Sequence, residues 1–221
     1  MFATWVLIAS ILAPIATQEA PQGAAASEDE IRVATDHANS VIAANDAGEY
    51  FINATTTDVP TVRHLPSGMV CRFFGMDQRD VIRFYPGEAH GAAPGEDVSC
   101  GTWIGSTYLT LYATRYPTEH SLEDLFQSAA GEIARAWPSG RNYEGPFAVP
   151  VLEGQADPMG GAITAERDDR TVTSVLFVQK IGDWAFKARA TGEEDGETVI
   201  EYSGMAFAWA LPTTDLPAKT D

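Results

Sequence analysis

Basic residues are scarce in this sequence. It carries 14 Lys and Arg against 31 Asp and Glu, a formal charge of −17 over 221 residues. A field of that sign repels polyanions and anionic bilayers, which excludes nucleic-acid binding and disfavours a membrane surface as partner. It also keeps a domain soluble and unassociated, so a monomer is expected. Cysteine is scarcer still. Cys71 and Cys100 are the only two, too few for a disulfide framework and lacking the CxxC spacing of a redox site, but enough for one bridge. The apolar run at 5–16 falls short of the roughly 20 residues that a membrane-spanning helix needs.

That run has instead the length of the apolar core of an export signal. Residues 1–20 are read as a signal peptide, 21–27 as a linker, 28–212 as a single domain and 213–221 as a loose tail. No Lys or Arg precedes Arg32, so the usual positive start of a signal is missing. The alternative is an uncleaved N-terminal anchor, which would be the chain's one route to a membrane. Export places the protein in the periplasm or outside the cell, where paired thiols oxidise, and a Cys71–Cys100 disulfide is expected. Closing a loop of that size contributes about 3–4 kcal/mol. The rival reading, a reactive Cys100 within Ser99-Cys100-Gly101, has no CxxC motif and no His nearby in sequence to support it.

A hydrophobic fraction of 45% with 10% aromatics supplies a normal core, so folding needs neither metal nor partner. Ser27 and Glu30 have capping-box spacing, and Ile31, Ala34, Ala38, Val41 and Ile42 recur at helical period, which predicts a helix over 28–45. Short strands follow at 50–53, 61–65, 69–74 and 81–85, with a tight turn at Pro66-Ser67-Gly68. The segment 86–96 holds Gly87, Gly91 and Gly95 and reads as a loop. Strands at 97–104 and 107–116 flank Gly105-Ser106, the Gly-first pair of a type II′ hairpin. In the second of them Leu109, Leu111 and Ala113 share one face and Tyr108, Tyr112 and Tyr116 the other, with both faces expected to be covered.

Ser121 caps a second helix whose stripe is Leu122, Leu125, Phe126, Ala129, Ile133 and Trp137. Then come strands near 147–152, 162–167, 171–180 and 184–190. Val172, Leu176 and Val178 oppose Val175 and Phe177, the pattern of a central strand buried on both faces. In the last strand Trp184 and Phe186 alternate with Lys187 and Arg189, one face buried and the other wet. A third helix over 197–211 carries Val199, Tyr202, Ala206 and Trp209 on one side and stops at Pro212. The order is helix, four or five short strands, helix, four strands, helix. It predicts an α+β fold with a mostly antiparallel sheet and helices packed on both faces.

The hairpin 97–116 running into the helix at 121–137, the meander ending Lys180-Ile181-Gly182-Asp183-Trp184 and the closing helix resemble the PsbP/Mog1-like α-β-α sandwich. The likeness is one of element order over about 62–211. The resemblance implies a small exported accessory protein without catalysis, and it transfers no site residues.

Motifs for chemistry are few. His37, His64, His90 and His120 lie in four separate elements without metal-ligand spacing. The loop 87–97 gathers Glu88, His90, Glu96 and Asp97; Glu88, His90 and Asp97 are the candidates for a ligand or metal loop, because long loops carry function. Its glycines lack the endings of phosphate or dinucleotide loops. No GxSxG or SxxK occurs. The acidic run at 193–197 lacks EF-hand spacing and reads as a solvated helix start. Tyr108, Tyr112 and Tyr116 read either as packing beneath a helix or as the floor of an aromatic groove. The sequence therefore predicts no catalytic residue and no cofactor. It points to a noncatalytic binding protein with a protein or small-molecule partner in the cell envelope; the alternative is a hydrolase or metal-dependent enzyme using the loop 87–97.

Overall fold

The computed structural model of the protein describes residues 25–86, 91–150 and 157–212. Among these residues the fold is α+β, with three helices and ten strands in two antiparallel sheets. Helix α1 (Glu28–Ala44) begins at the expected capping box: the Ser27 amide donates to Glu30 Oε2 at 2.8 Å and the Glu30 amide returns a bond to Ser27 Oγ at 3.3 Å. It buries Ala34, Ala38 and Val41.

The first three strands, β1 (Phe51–Asn53), β2 (Thr61–His64) and β3 (Val70–Arg72), form a sheet of their own. The sequence pattern suggested a single continuous sheet; the segment 73–80 instead carries the chain away before β4 (Val81–Phe84), which pairs with the following strand. That segment is pinned by Asp80. Its buried carboxylate accepts from Thr102 Oγ1 at 2.7 Å and from His37 Nε2 of α1 at 2.8 Å.

The larger sheet adds β5 (Asp97–Ile104), β6 (Thr107–Arg115), β7 (Arg141–Asn142), β8 (Met159–Arg167), β9 (Arg170–Ile181) and β10 (Trp184–Gly192), in the order β4-β5-β6-β10-β9-β8-β7. Its tight turns use residues that tolerate the left-handed region: Gly105 at φ 59°, Gly182 at φ 58°, and the pair Asp168 and Asp169 at 50° and 61°. A strand over 147–152 does not form in its described part. Residues 147–150 run without sheet pairing, since Pro146 and Pro150 donate no ladder bonds, and Phe147 stacks flat on Phe177 at 5.7 Å.

Helix α2 (Leu122–Ala136), capped by Ser121 with Asp124, lays Leu125 and Ile133 against Leu176, Val178 and Ala185. Helix α3 (Gly196–Ala210) packs among Val175, Phe177, Ala188 and Ala190, and Phe207 stacks on Phe177 at 5.7 Å. Its buried stripe is Val199, Ser203, Ala206 and Ala210. The expected stripe included Trp209, which is 40% exposed with the Arg72 guanidinium 4.6 Å above its ring. The helix is wholly apolar over 205–210, which offers no period there from which to choose a face.

One core joins the two sheets. Phe51, Val62 and Met69 from the small sheet pack with Val98, Leu111 and Phe186 from the large one. The Cys71–Cys100 disulfide crosses between them, from β3 to β5, over a sequence separation of 29. Among the described residues no helix is long and apolar enough to cross a membrane. The Cys71→Ser, Cys100→Ser double variant is expected to lose about 3–4 kcal/mol in denaturant unfolding. Unfolding midpoints that coincide with wild type would show that apolar packing alone holds the sheets together.

Candidate functional site

Of the loop candidates, Glu88 and His90 lie outside the described residues. Asp97 begins β5, buried to 8% exposure, with its Oδ1 accepting from Thr114 Oγ1 at 2.9 Å. Its carboxylate is thus bound into the sheet rather than offered by a loop. The described histidines stay apart. His37 pairs with Asp80, and His120 lies edge-on to Tyr116 at 4.9 Å. Among the described residues no group of three or more His, Cys, Asp or Glu side chains could hold a metal ion.

His64 is fully buried between Phe51 and Trp184, with ring centroids 4.8 and 5.8 Å away. Its Nδ1 lies 2.8 Å from Ser67 Oγ, which also accepts from the Met69 amide. The Ser67 proton is therefore free to point at Nδ1, the arrangement of a neutral ring. Burial pushes the His64 pKa down to about 4, and the main chain of Gly95 offsets this only in part. The pair resembles a catalytic Ser–His couple in distance alone; with both residues at 0% exposure no substrate reaches it.

The tyrosine row divides. Tyr116 packs with Leu125 and Phe126 at α2, as the packing reading requires. Tyr108 and Tyr112 do not. They stand on the face of β6 opposite Leu109 and Leu111, and neither joins the cluster that α2 forms with Leu176, Val178 and Ala185. Cross-strand register then assembles a site from distant parts of the chain. One row across the sheet reads Arg83, Ser99, Tyr112, Lys187; the next reads Val81, Gly101, Thr110, Arg189. All of these but Lys187, with Tyr108 and Thr191, line a depression of about 240 Å³.

Gly101 makes this surface flat. A Cβ there would collide with the Tyr108 hydroxyl, so glycine lets the Tyr108 ring lie down across β5. Trp103 continues the aromatic surface at 5.2 Å from Tyr108, and Tyr85 adjoins Tyr112 at 6.2 Å. Burial, helped by the neighbouring Tyr85, raises the Tyr112 pKa to about 12, which keeps its hydroxyl protonated. Lys187 Nζ lies 5.5 Å from the Tyr112 ring centroid. Burial lowers its pKa, opposed by Asp97 and Glu132, so this face of β10 is drier than the alternating pattern implied.

Arg83 and Arg189 have no ion-pair partner among the described residues. The depression is lined by these two guanidiniums and by no carboxylate, in a chain of −17. Other hollows are less equipped. The cleft of about 350 Å³ between α2 and β8 is walled by Phe126, Ile133, Trp137 and Leu176 and continues the packing of that helix. At the start of α2, Lys180 is already engaged, donating to the His120 carbonyl at 2.8 Å.

The chain matches no family model and no curated protein. The site must therefore be argued from its own chemistry. Sequence reasoning named Tyr108 and Tyr112 and missed Arg83, Gly101, Lys187 and Arg189 as their companions. The signal available was the alternation of Lys187 and Arg189 with buried residues; which strand they would lie beside was not encoded locally.

His64 gives a pH signature. Its folded pKa lies below the unfolded value of 6.5, so its contribution is intact above pH 6.5 and is lost as pH falls toward 4. Across that window wild type is expected to lose about 3 kcal/mol more than a non-titrating His64→Gln variant. Unfolding curves at stepped pH measure the difference, and parallel losses would contradict a buried neutral ring.

Proposed function

We infer that this protein is an exported, noncatalytic binding protein that holds an anionic, ring-bearing ligand against the outer face of β4, β5, β6 and β10. The observation that carries the reading is Tyr108, laid across Gly101, and Tyr112, set between guanidiniums that have no ion-pair partner among the described residues. Arg presents a fork of donors suited to carboxylate and phosphate, and aromatic faces stack on planar or ring groups. Nothing on this face supplies a nucleophile with an adjacent base, which favours binding over turnover.

The disulfide supports an oxidising compartment, hence export to the periplasm or beyond. The contacts of α2 with one set of β9 side chains and α3 with the alternate set favour an α-β-α sandwich. That arrangement, with the element order, supports the accessory role implied by the PsbP/Mog1-like resemblance. The net charge supports a monomer.

A ring-bearing sulfonate such as 1-anilinonaphthalene-8-sulfonate tests the face directly. The full chain is expected to bind it, and the Arg83→Ala, Arg189→Ala double variant to bind at least tenfold more weakly. Tyr108→Ala is expected to unfold within a few degrees of wild type while losing the probe. A large loss of stability in Tyr108→Ala with binding intact would return the tyrosine to a packing role and remove the site.

A further inference from the structure

We propose that the ligand of this face is an acidic saccharide, a chain of pyranose rings bearing carboxylates such as uronic acids. The proposal rests on the reading of the face as an anion-docking surface and adds the chemistry of what docks there.

Three features narrow the anion. First, the two guanidiniums do not rise from one place. Arg83 is on β4 and Arg189 on β10, with β5 and β6 between them and one row of the register apart, so their Cα atoms stand about 16 Å apart at ordinary strand spacing and rise. Opposite rims suit separate single charges better than one phosphate, which wants converging donors. Second, the surface between them is aromatic and hydroxylated. Tyr108 lies across Gly101, Tyr112 forms the opposing wall, and Thr110 and Thr191 line the depression. A pyranose has an apolar C–H face for such a ring and a rim of hydroxyls for the threonines.

Third, the middle of the face offers no main-chain partners. β5 and β6 are paired on both sides, so a peptide could not add as a strand here and recognition falls to side chains alone. The span from Tyr108 to Tyr112 is about 14 Å along β6, longer than one ring, so neighbouring sugars of a chain engage the two tyrosines. Sugar carboxylates spaced along that chain meet Arg189 beside Thr110 and Arg83 beside Ser99. The negative chain elsewhere keeps longer polyanions from spreading beyond the patch.

Calorimetric titration of the full chain with trigalacturonate and with trimannuronate tests this, with galactotriose as the neutral counterpart. At least one acidic trimer is expected to bind, at least tenfold tighter than galactotriose. Binding should weaken at least tenfold in Arg83→Ala, Arg189→Ala and in Tyr108→Ala, and persist in Tyr108→Phe. Equal affinity for galactotriose, or acidic trimers that fail to bind, would overturn the assignment. Oligothymidylate and oligoglutamate separate the two levels. If either binds through Arg83 and Arg189 while the acidic trimers do not, the saccharide falls and the docking face stands. If no anion binds, or binding ignores every variant, both fall.

Discussion

The molecule is governed by a mismatch of widths. A seven-stranded sheet extends about 29 Å across its strands, whereas a helix with its side chains covers about 10 Å. One core gathers α3, the small sheet and α1 with side chains of the large sheet. A second core gathers α2 with Leu176 and Val178 of β9 and Ala185 of β10. Sheet surface is consequently left beside that helix, and the residues there are not the aliphatic ones found under α2. They are tyrosines, threonines and basic side chains, a composition suited to contact with water and solute together.

Filling the first core requires the small sheet to remain attached, and three strands of three or four residues would not be stable alone. Its attachment is redundant. The disulfide joins β3 to β5, the His37–Asp80–Thr102 contact ties α1 to the connecting segment and β5, and His64 sits neutral between Phe51 and Trp184. Each tie lies on the side of that core. None of these ties uses a side chain that lines the depression beside Tyr108 and Tyr112, and support from behind is how a rigid scaffold presents a binding surface.

Much of the local structure was legible in the chain. The boxes at Ser27 and Ser121 start helices where side-chain oxygens can satisfy free amides, and Gly105, Asp168, Asp169 and Gly182 mark turns by tolerating positive φ. Choices that depend on distant partners were not legible. The break between β3 and β4 is enforced by Asp80 reaching Thr102 and His37, residues 22 and 43 positions away. The face of α3 that packs was ambiguous because the helix is apolar over 205–210, and Trp209 turned outward. For the site, the period of two placed Tyr108 and Tyr112 together. It also included Tyr116, which falls just past the end of β6 and under α2. Arg83 and Arg189 become neighbours of the tyrosines only through the strand order, a long-range property that no local window contains.

The central claim, that the outer face of β4, β5, β6 and β10 is the surface the protein uses, is tested most directly by hydroxyl-radical footprinting of the full chain, purified and in extract of its own cells. Protection in the extract is predicted at Trp103, Tyr108 and Tyr112, with Met205 and Trp209 on α3 labelled equally in both. Equal labelling of the three aromatic residues, with protection falling on α3 or at Trp137, would contradict the account and place the working surface elsewhere.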